Sequence, residues 1–476
     1  MHRAGRDRSF AALLLVAAVA GSVIASSAAA AAIPTAAASA QRIVTEDESL
    51  LSNSPAIQSV DPRIAVTDDG TVHVVWQEGV LGLDPDEPVI MHTYRPPGGD
   101  WSAPTEVYWD GVQPALATDG TTVGVAFVRN PFDSEDSTEV LYKVWDHETE
   151  TWPDAPNAID GDVGLAGSQP NLAFDRFHGF LWLVWLGSAD EPNASKPTYA
   201  RILVDSGVAE NAGVIDEYEK RAQSPVIAIS PENDVHTCWS TGYASGESEI
   251  NCWEWSEGGS YWRYDAPPLW DQYRQARAPD IAIDTALLCV TWHEGSQDQP
   301  NEIILSCDKP SGNVWFGNIS WTAEDRSLLP SIALEERRGA MVLWRERRVT
   351  APQQIVFGQG LPPPLPDPAP VSNGTAPAVD MPTLSYHDGY AHAAWVESTA
   401  LGGSEVRYAR WVVELPTPTP SATPTRTPTP TMMTPPPPTW TSSPTATGTV
   451  PTATASPTAG TATPSPYRLF APRLDT

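Results

Sequence analysis

The sequence is short of lysine. Its 476 residues include only Lys143, Lys196, Lys220 and Lys309, and Lys and Arg together number 28 against 59 Asp and Glu, a formal net charge of −31. Phosphate backbones are bound by clustered positive charge, so a nucleic-acid partner is excluded. The acidity reads as solubility. Cysteine is scarce as well, at four residues. The lack of a close Cys pair or a Cys–His spacing argues against zinc. The one long apolar run, Phe10–Ile24, is short for a membrane span, and the mature chain is expected to have none. P-loop, Gly-rich dinucleotide loop, EF-hand and Gly-x-Ser-x-Gly elbow are all missing, so no cofactor or metal is expected.

What is present is a repeat. Pro62–Glu78 reads as two β-rich runs around an Asp-Gly turn, a combination that favours a tight hairpin because Asp-Gly accepts positive φ. The pattern recurs from Pro114, Pro170, Pro225, Pro279, Pro330 and Pro382, each time reaching Trp (Phe127 in the second copy). The steps between these prolines are 52, 56, 55, 54, 51 and 52. Each copy has a second half with two further short runs, such as Val89–Thr93 followed by the turn to Trp101. Four short strands at a period just above fifty residues predict an all-β fold, a seven-bladed β-propeller spanning 41–414. Residues 41–60 resemble the ends of the other copies, and the last copy stops after a third strand, Glu405–Glu414. The spacing therefore predicts closure by an N-terminal strand, Arg42–Glu46, which leaves no open edge.

The two ends differ from this body. His2, Arg3, Arg6 and Arg8, then Phe10–Ile24, then small residues to Ala40 read as a signal peptide and spacer over 1–40. Residues 415–466 are mostly Pro, Thr, Ser and Ala, a composition that predicts a disordered linker. Tyr467–Thr476 is a short apolar-basic tag. A secreted or cell-surface protein is expected, and a monomer.

Four cysteines fit an oxidising compartment. Trp239 to Glu249 and Trp292 to Glu302 are both ten residues, so the fourth and fifth copies superpose without a gap. Cys238 precedes its Trp by one and Cys252 follows its Glu by three; Cys289 and Cys307 are offset by two more on each side. One antiparallel register accounts for both offsets. The pairs Cys238–Cys252 and Cys289–Cys307 are therefore predicted, with free thiols as the alternative.

The turn between third and fourth strands resembles the Asp-box of the sialidase superfamily. The best match is Trp255-Ser-Glu257-Gly-Gly259-Ser-Tyr261-Trp262, with Glu for Asp; Gly98 and Trp101, and Gly312 and Trp315, keep the same spacing. The resemblance implies a propeller fold for Arg42–Glu414, although that family has six blades. It also implies a site of three arginines, a Tyr–Glu pair and an Asp acid/base. One of those arginines lies two residues before the hairpin Pro, where this chain has Val60, Val112, Ser168, Gln223, Arg277, Leu328 and Asp380. Only Arg277 matches. Loops with Asp84, Asp86, Glu87, Asp133, Glu135, Asp136 and Glu139 form an acidic rim that repels an anionic sugar.

A second constellation is Trp-x-Glu, ending the second strand at Glu78, Glu294, Glu346 and Glu397. These carboxylates at similar depth suit a cation, a polyhydroxyl ligand or glycoside hydrolysis. Alternatively each serves its own blade, repeated because the blade is repeated. The functional expectation is a binding module for a glycan or a surface partner, with Trp270, Tyr273 and Tyr243 available to stack on sugars. Sialidase-like glycoside hydrolysis and a structural surface role are the alternatives.

Overall fold

The computed structural model describes residues 43–79, 88–129, 139–159, 167–188, 195–217, 219, 221–243, 246–256, 261–264, 275–285, 287–296, 299–308, 315–320, 326–347, 352–360, 368–372 and 376–414. The leader, the Pro/Thr-rich linker and the C-terminal tag lie outside these residues, as do Asp84, Asp86, Glu87, Asp133, Glu135, Asp136, Trp270 and Tyr273. No helix long and apolar enough to cross a membrane occurs among the described residues.

The fold is an all-β propeller. Six of the repeats each form one antiparallel sheet of four strands in chain order, the seventh supplies three strands to its sheet, and blades 4 and 5 are also joined by a single parallel pair, Ser248 with Gln275. The innermost strands touch in cyclic order, and that of blade 7 returns to that of blade 1. The large side chain of each second strand fills the space between sheets. Trp76, Trp239, Trp344 and Trp395 are wholly buried, as is Phe127 in the copy without Trp. Burying an indole removes apolar area worth on the order of 4 kcal/mol, so these positions hold the blades together. Trp262 of the best Asp-box match packs between blades 3 and 4 against Trp182, Tyr199 and Trp255.

Closure uses Thr45–Leu50, which pairs with the third strand of blade 7, Ser404–Val412, from Thr45 opposite Trp411 to Leu50 opposite Arg407. The clasp thus lies a few residues beyond the expected Arg42–Glu46. The displacement has a physical reason. An outermost strand has no apolar face to bury, so Thr45-Glu-Asp-Glu-Ser-Leu50 carries no hydropathy signal, whereas Ile43 and Val44 precede the strand. Arg95 of blade 1 fastens the clasp through Asp47 and the Tyr408 hydroxyl.

Both expected disulfides are present, Cys238–Cys252 and Cys289–Cys307. Each joins residues directly opposite one another on the second and third strands of its blade.

Candidate functional site

The hairpin prolines sit at a bulge. In blades 1 to 6 the inner strand carries one extra residue around Pro, as where Val60 and Arg63 oppose Gln77 and Val75. A bulge suits proline, which has no N–H for the ladder. The residue before Pro adopts positive φ in all six: Asp61 (52°), Gln113 (55°), Gln169 (52°), Ser224 (51°), Ala278 (48°) and Leu329 (54°). Such a conformation costs about 1 kcal/mol for a non-glycine residue. In five of the six the cost is offset at the backbone N–H, which meets a side chain of the preceding blade.

These bonds stitch the inner rim. Gln113 Oε1 accepts from Gln169 N at 2.8 Å, and Gln169 Oε1 from Ser224 N at 2.7 Å. His293 Nδ1 accepts from Leu329 N at 3.4 Å. One residue deeper, Asn171, Asp280 and Ser331 accept from Ile227, Ile332 and Leu384 of the next blade.

The stitching changes at the junction of blades 7 and 1. In blade 7, Ala378 opposes Glu397 and Thr383 opposes Ala394, so five steps on one strand match three on the other. This bulge is wider by one residue, and it carries Asp380. The Asp380 carboxylate accepts from its neighbour Met381 N and from Asp61 N, both at 2.7 Å. Asp61 occupies the position of Gln113 and Gln169, but it does not stitch the next blade. Gln77 does so instead, its Oε1 accepting from Gln113 N at 3.1 Å. The Asp61 carboxyl thereby accepts no hydrogen bond among the described residues. It faces a cavity of about 590 Å³ lined by Gln58, Gln77, Gln113, Asp380 and Ser398 and floored by the Gly402–Gly403 turn. Gly403 is required there, because a Cβ would lie 2.3 Å from the Ile57 carbonyl oxygen.

Charges of both signs act on one another along the inner strands. Burial and then the Asp380 charge push the Asp61 carboxyl up to about 6, against the pull of Arg63. Burial likewise raises Asp280 to about 6, opposed by its backbone hydrogen bonds and by Arg63. Burial lowers Arg345, opposed by Asp380, and its Nη1 donates to the Val379 carbonyl at 2.5 Å. His293 is pushed down to about 4 by burial, then by Arg277 and Arg345. Arg277 itself is exposed.

Sequence reasoning selected other positions. Glu78, Glu294, Glu346 and Glu397 do not line this cavity. Each accepts the indole N–H of its own blade two residues back, from Trp76 and Trp292 at 3.0 Å, Trp344 at 3.2 Å and Trp395 at 3.0 Å. Trp239, followed by Thr241 in place of Glu, has a buried indole nitrogen with no partner among the described residues. The Tyr–Glu hydrogen bonds seen among the described residues, Tyr243 to Glu249 and Tyr94 to Glu150, also lie away from the cavity. Asp61, Gln77 and Gln113 were missed. The signal for Asp61 and Gln113 was legible, since the residue before the hairpin Pro is polar in four successive copies, Asp61, Gln113, Gln169 and Ser224. No group of three or more metal-ligating side chains occurs among the described residues.

No family model matches the chain, and no curated protein does. Solved structures do. An ulvan lyase described as a new family of polysaccharide lyase is 8% identical, with a TM-score of 0.53, covering 78% of this chain and 96% of its own. A protein of unknown function from Dyadobacter fermentans is 10% identical, with a TM-score of 0.50, covering 78% and 99%. A Hadza microbial sialidase is 10% identical, with a TM-score of 0.42, covering 75% of this chain and 66% of its own. At these identities the likeness is one of β-propeller fold.

Proposed function

We propose that this chain is an exported, monomeric β-propeller that binds carbohydrate in the cleft between blades 7 and 1. The observation that carries this reading is the Asp61 carboxyl, excused from the rim's stitching by Gln77 and left facing a cavity of amides, carboxylates and hydroxyls. Such groups offer the several directional acceptors and donors that neighbouring sugar hydroxyls need. Two disulfides suit an extracellular setting. That a polysaccharide lyase shares the fold supports the ligand class by analogy alone.

The test is calorimetric titration of the full chain against ulvan, alginate, xylan and sialylated glycans. At least one is expected to bind, with Asp61→Asn and Gln113→Ala each weakening it tenfold or more. Failure of all four to bind, or unchanged affinity in both variants, overturns the reading.

Glycoside hydrolysis is the second reading, favoured by one specific contrast. Asp380 accepts two backbone N–H groups, whereas Asp61 beside it is raised to about 6. Two carboxyl groups in unlike environments are what acid/base cleavage of a glycosidic bond uses. Release of reducing ends from a bound polysaccharide, lost in Asp61→Asn, distinguishes it from binding alone.

A further inference from the structure

The cleft is flanked on one side by the junction of blades 1 and 2. The outer strand of blade 1, Thr105–Trp109, runs into the inner strand of blade 2, Gly111–Thr118, through Asp110 alone. Elsewhere the same connection takes seven to twelve residues. The short crossing is enforced sterically. Asp110 turns the chain at φ 65°, and a Cβ on Gly111 would lie 2.8 Å from Ile90 and 3.2 Å from Tyr108. Alternation along the outer strand then separates two aromatic residues. Tyr108 turns inward and stacks on Phe127 with ring centroids 4.7 Å apart. Trp109 turns outward and is 50% exposed.

The Trp109 backbone is continuous with the cleft. Val112 and Gln113 line the cavity, and four residues of chain place Trp109 within about 13 Å of Gln113, even fully extended. The polar groups of this junction gather on the Tyr108 side of the strand. Arg129 pairs with Gly111 across the sheet, approaches the Tyr108 hydroxyl at 3.3 Å and bridges Glu139 at 2.8 Å. An exposed aromatic face fits a pyranose ring, whose C–H face stacks on it.

We infer that Trp109 is an outlying sugar-stacking subsite and that the ligand is a polymer running from the axial cleft across the blade 1–2 junction. The inference rests on the carbohydrate reading of the cleft and adds a direction and a length requirement. A short oligosaccharide fills the cleft alone, whereas a longer one also reaches Trp109.

The experiment uses size-fractionated oligosaccharides of whichever of the four polysaccharides binds, titrated into the wild type, Trp109→Ala and Trp109→Phe. Wild-type affinity is expected to rise with length, by tenfold or more from the shortest bound fragment to the longest. Trp109→Ala should lose that gain and bind the shortest fragment as the wild type does, and Trp109→Phe should retain most of it. Equal affinity of Trp109→Ala and wild type for the longest fragment overturns the subsite while leaving the cleft intact. Equal loss at every length also overturns it, by making Trp109 part of the cleft. Failure of the wild type to bind any of the four falls on the parent reading. Matching melting curves confirm that the variants are folded.

Discussion

At the scale of single residues, Asp61 sets a conflict between stability and the proposed ligand binding. Its carboxyl is raised in the folded state, so the folded chain holds the proton more tightly than the unfolded chain between about pH 4 and pH 6. Stability from this group is therefore lost as pH rises through that window. Asp61→Asn removes the penalty, and at pH 7 it should stabilise by about 1 kcal/mol while weakening binding. A urea titration checks the first half, and a lower midpoint in the variant contradicts it. Asp280 acts in the same sense. The buried histidines act in the opposite one. His73 and His293 are pushed down to about 4 and His392 to about 3, all chiefly by burial, and His92 is also pushed down. Each keeps the folded state from taking a proton that the unfolded chain accepts below its ordinary value near 6.5. Stability is then lost as pH falls from about 6.5 toward 4. Four histidines outweigh two aspartates, so the urea midpoint at pH 4.5 should lie below that at pH 7. A higher midpoint at pH 4.5 contradicts this balance.

At the scale of the blade, the carboxylate of each Trp-x-Glu ending works inside its own sheet. Glu346 is buried, and its removal leaves the Trp344 indole N–H without that acceptor in a closed core. Glu346→Ala should cost about 1–3 kcal/mol, and Glu346→Gln, which keeps an acceptor, less. Neither should alter carbohydrate affinity; a variant that stays as stable as the wild type yet binds more weakly would restore these carboxylates to a binding role. The disulfides belong to this scale too. They close separations of 14 and 18 residues, each worth about 3 kcal/mol in the chain-entropy picture. Replacing both cysteines of either pair by alanine should lower the melting temperature without opening the ring, as read by calorimetry and by an unchanged elution volume.

At the scale of the whole molecule, everything depends on the junction where the ring closes. There the first and last blades are joined by the strand Thr45–Leu50, by Ser404, which bonds the Ser59 backbone on both sides, and by the Asp380–Asp61 bond. The same junction bears the cleft, so closure and the proposed ligand site are physically one place. Deleting residues 1–50 exposes the edge of Ser404–Val412 and should yield a protein that aggregates or pairs with a second copy, with binding lost. Size-exclusion chromatography and titration test this together. A monomeric, binding-competent deletion variant would show that the clasp is dispensable.

The repeat made much of this architecture legible in advance. Prolines at near-constant spacing, a turn dipeptide and a large apolar residue closing each hairpin are local features, and each survives in the fold because seven copies impose it. The disulfide register could be read for the same reason, since two copies of one blade superpose without a gap. The polar outer strand Thr45–Leu50 was placed a few residues off, because no buried face marks it. The site was harder to read for a different reason. Asp61, Gln113 and Gln169 are equivalent in the chain, and only the ring decides that two of them stitch blades while the third is relieved by Gln77. Periodicity dictates what every blade shares; the one junction that must differ, and the carboxyl group it sets free, is determined by closing the circle.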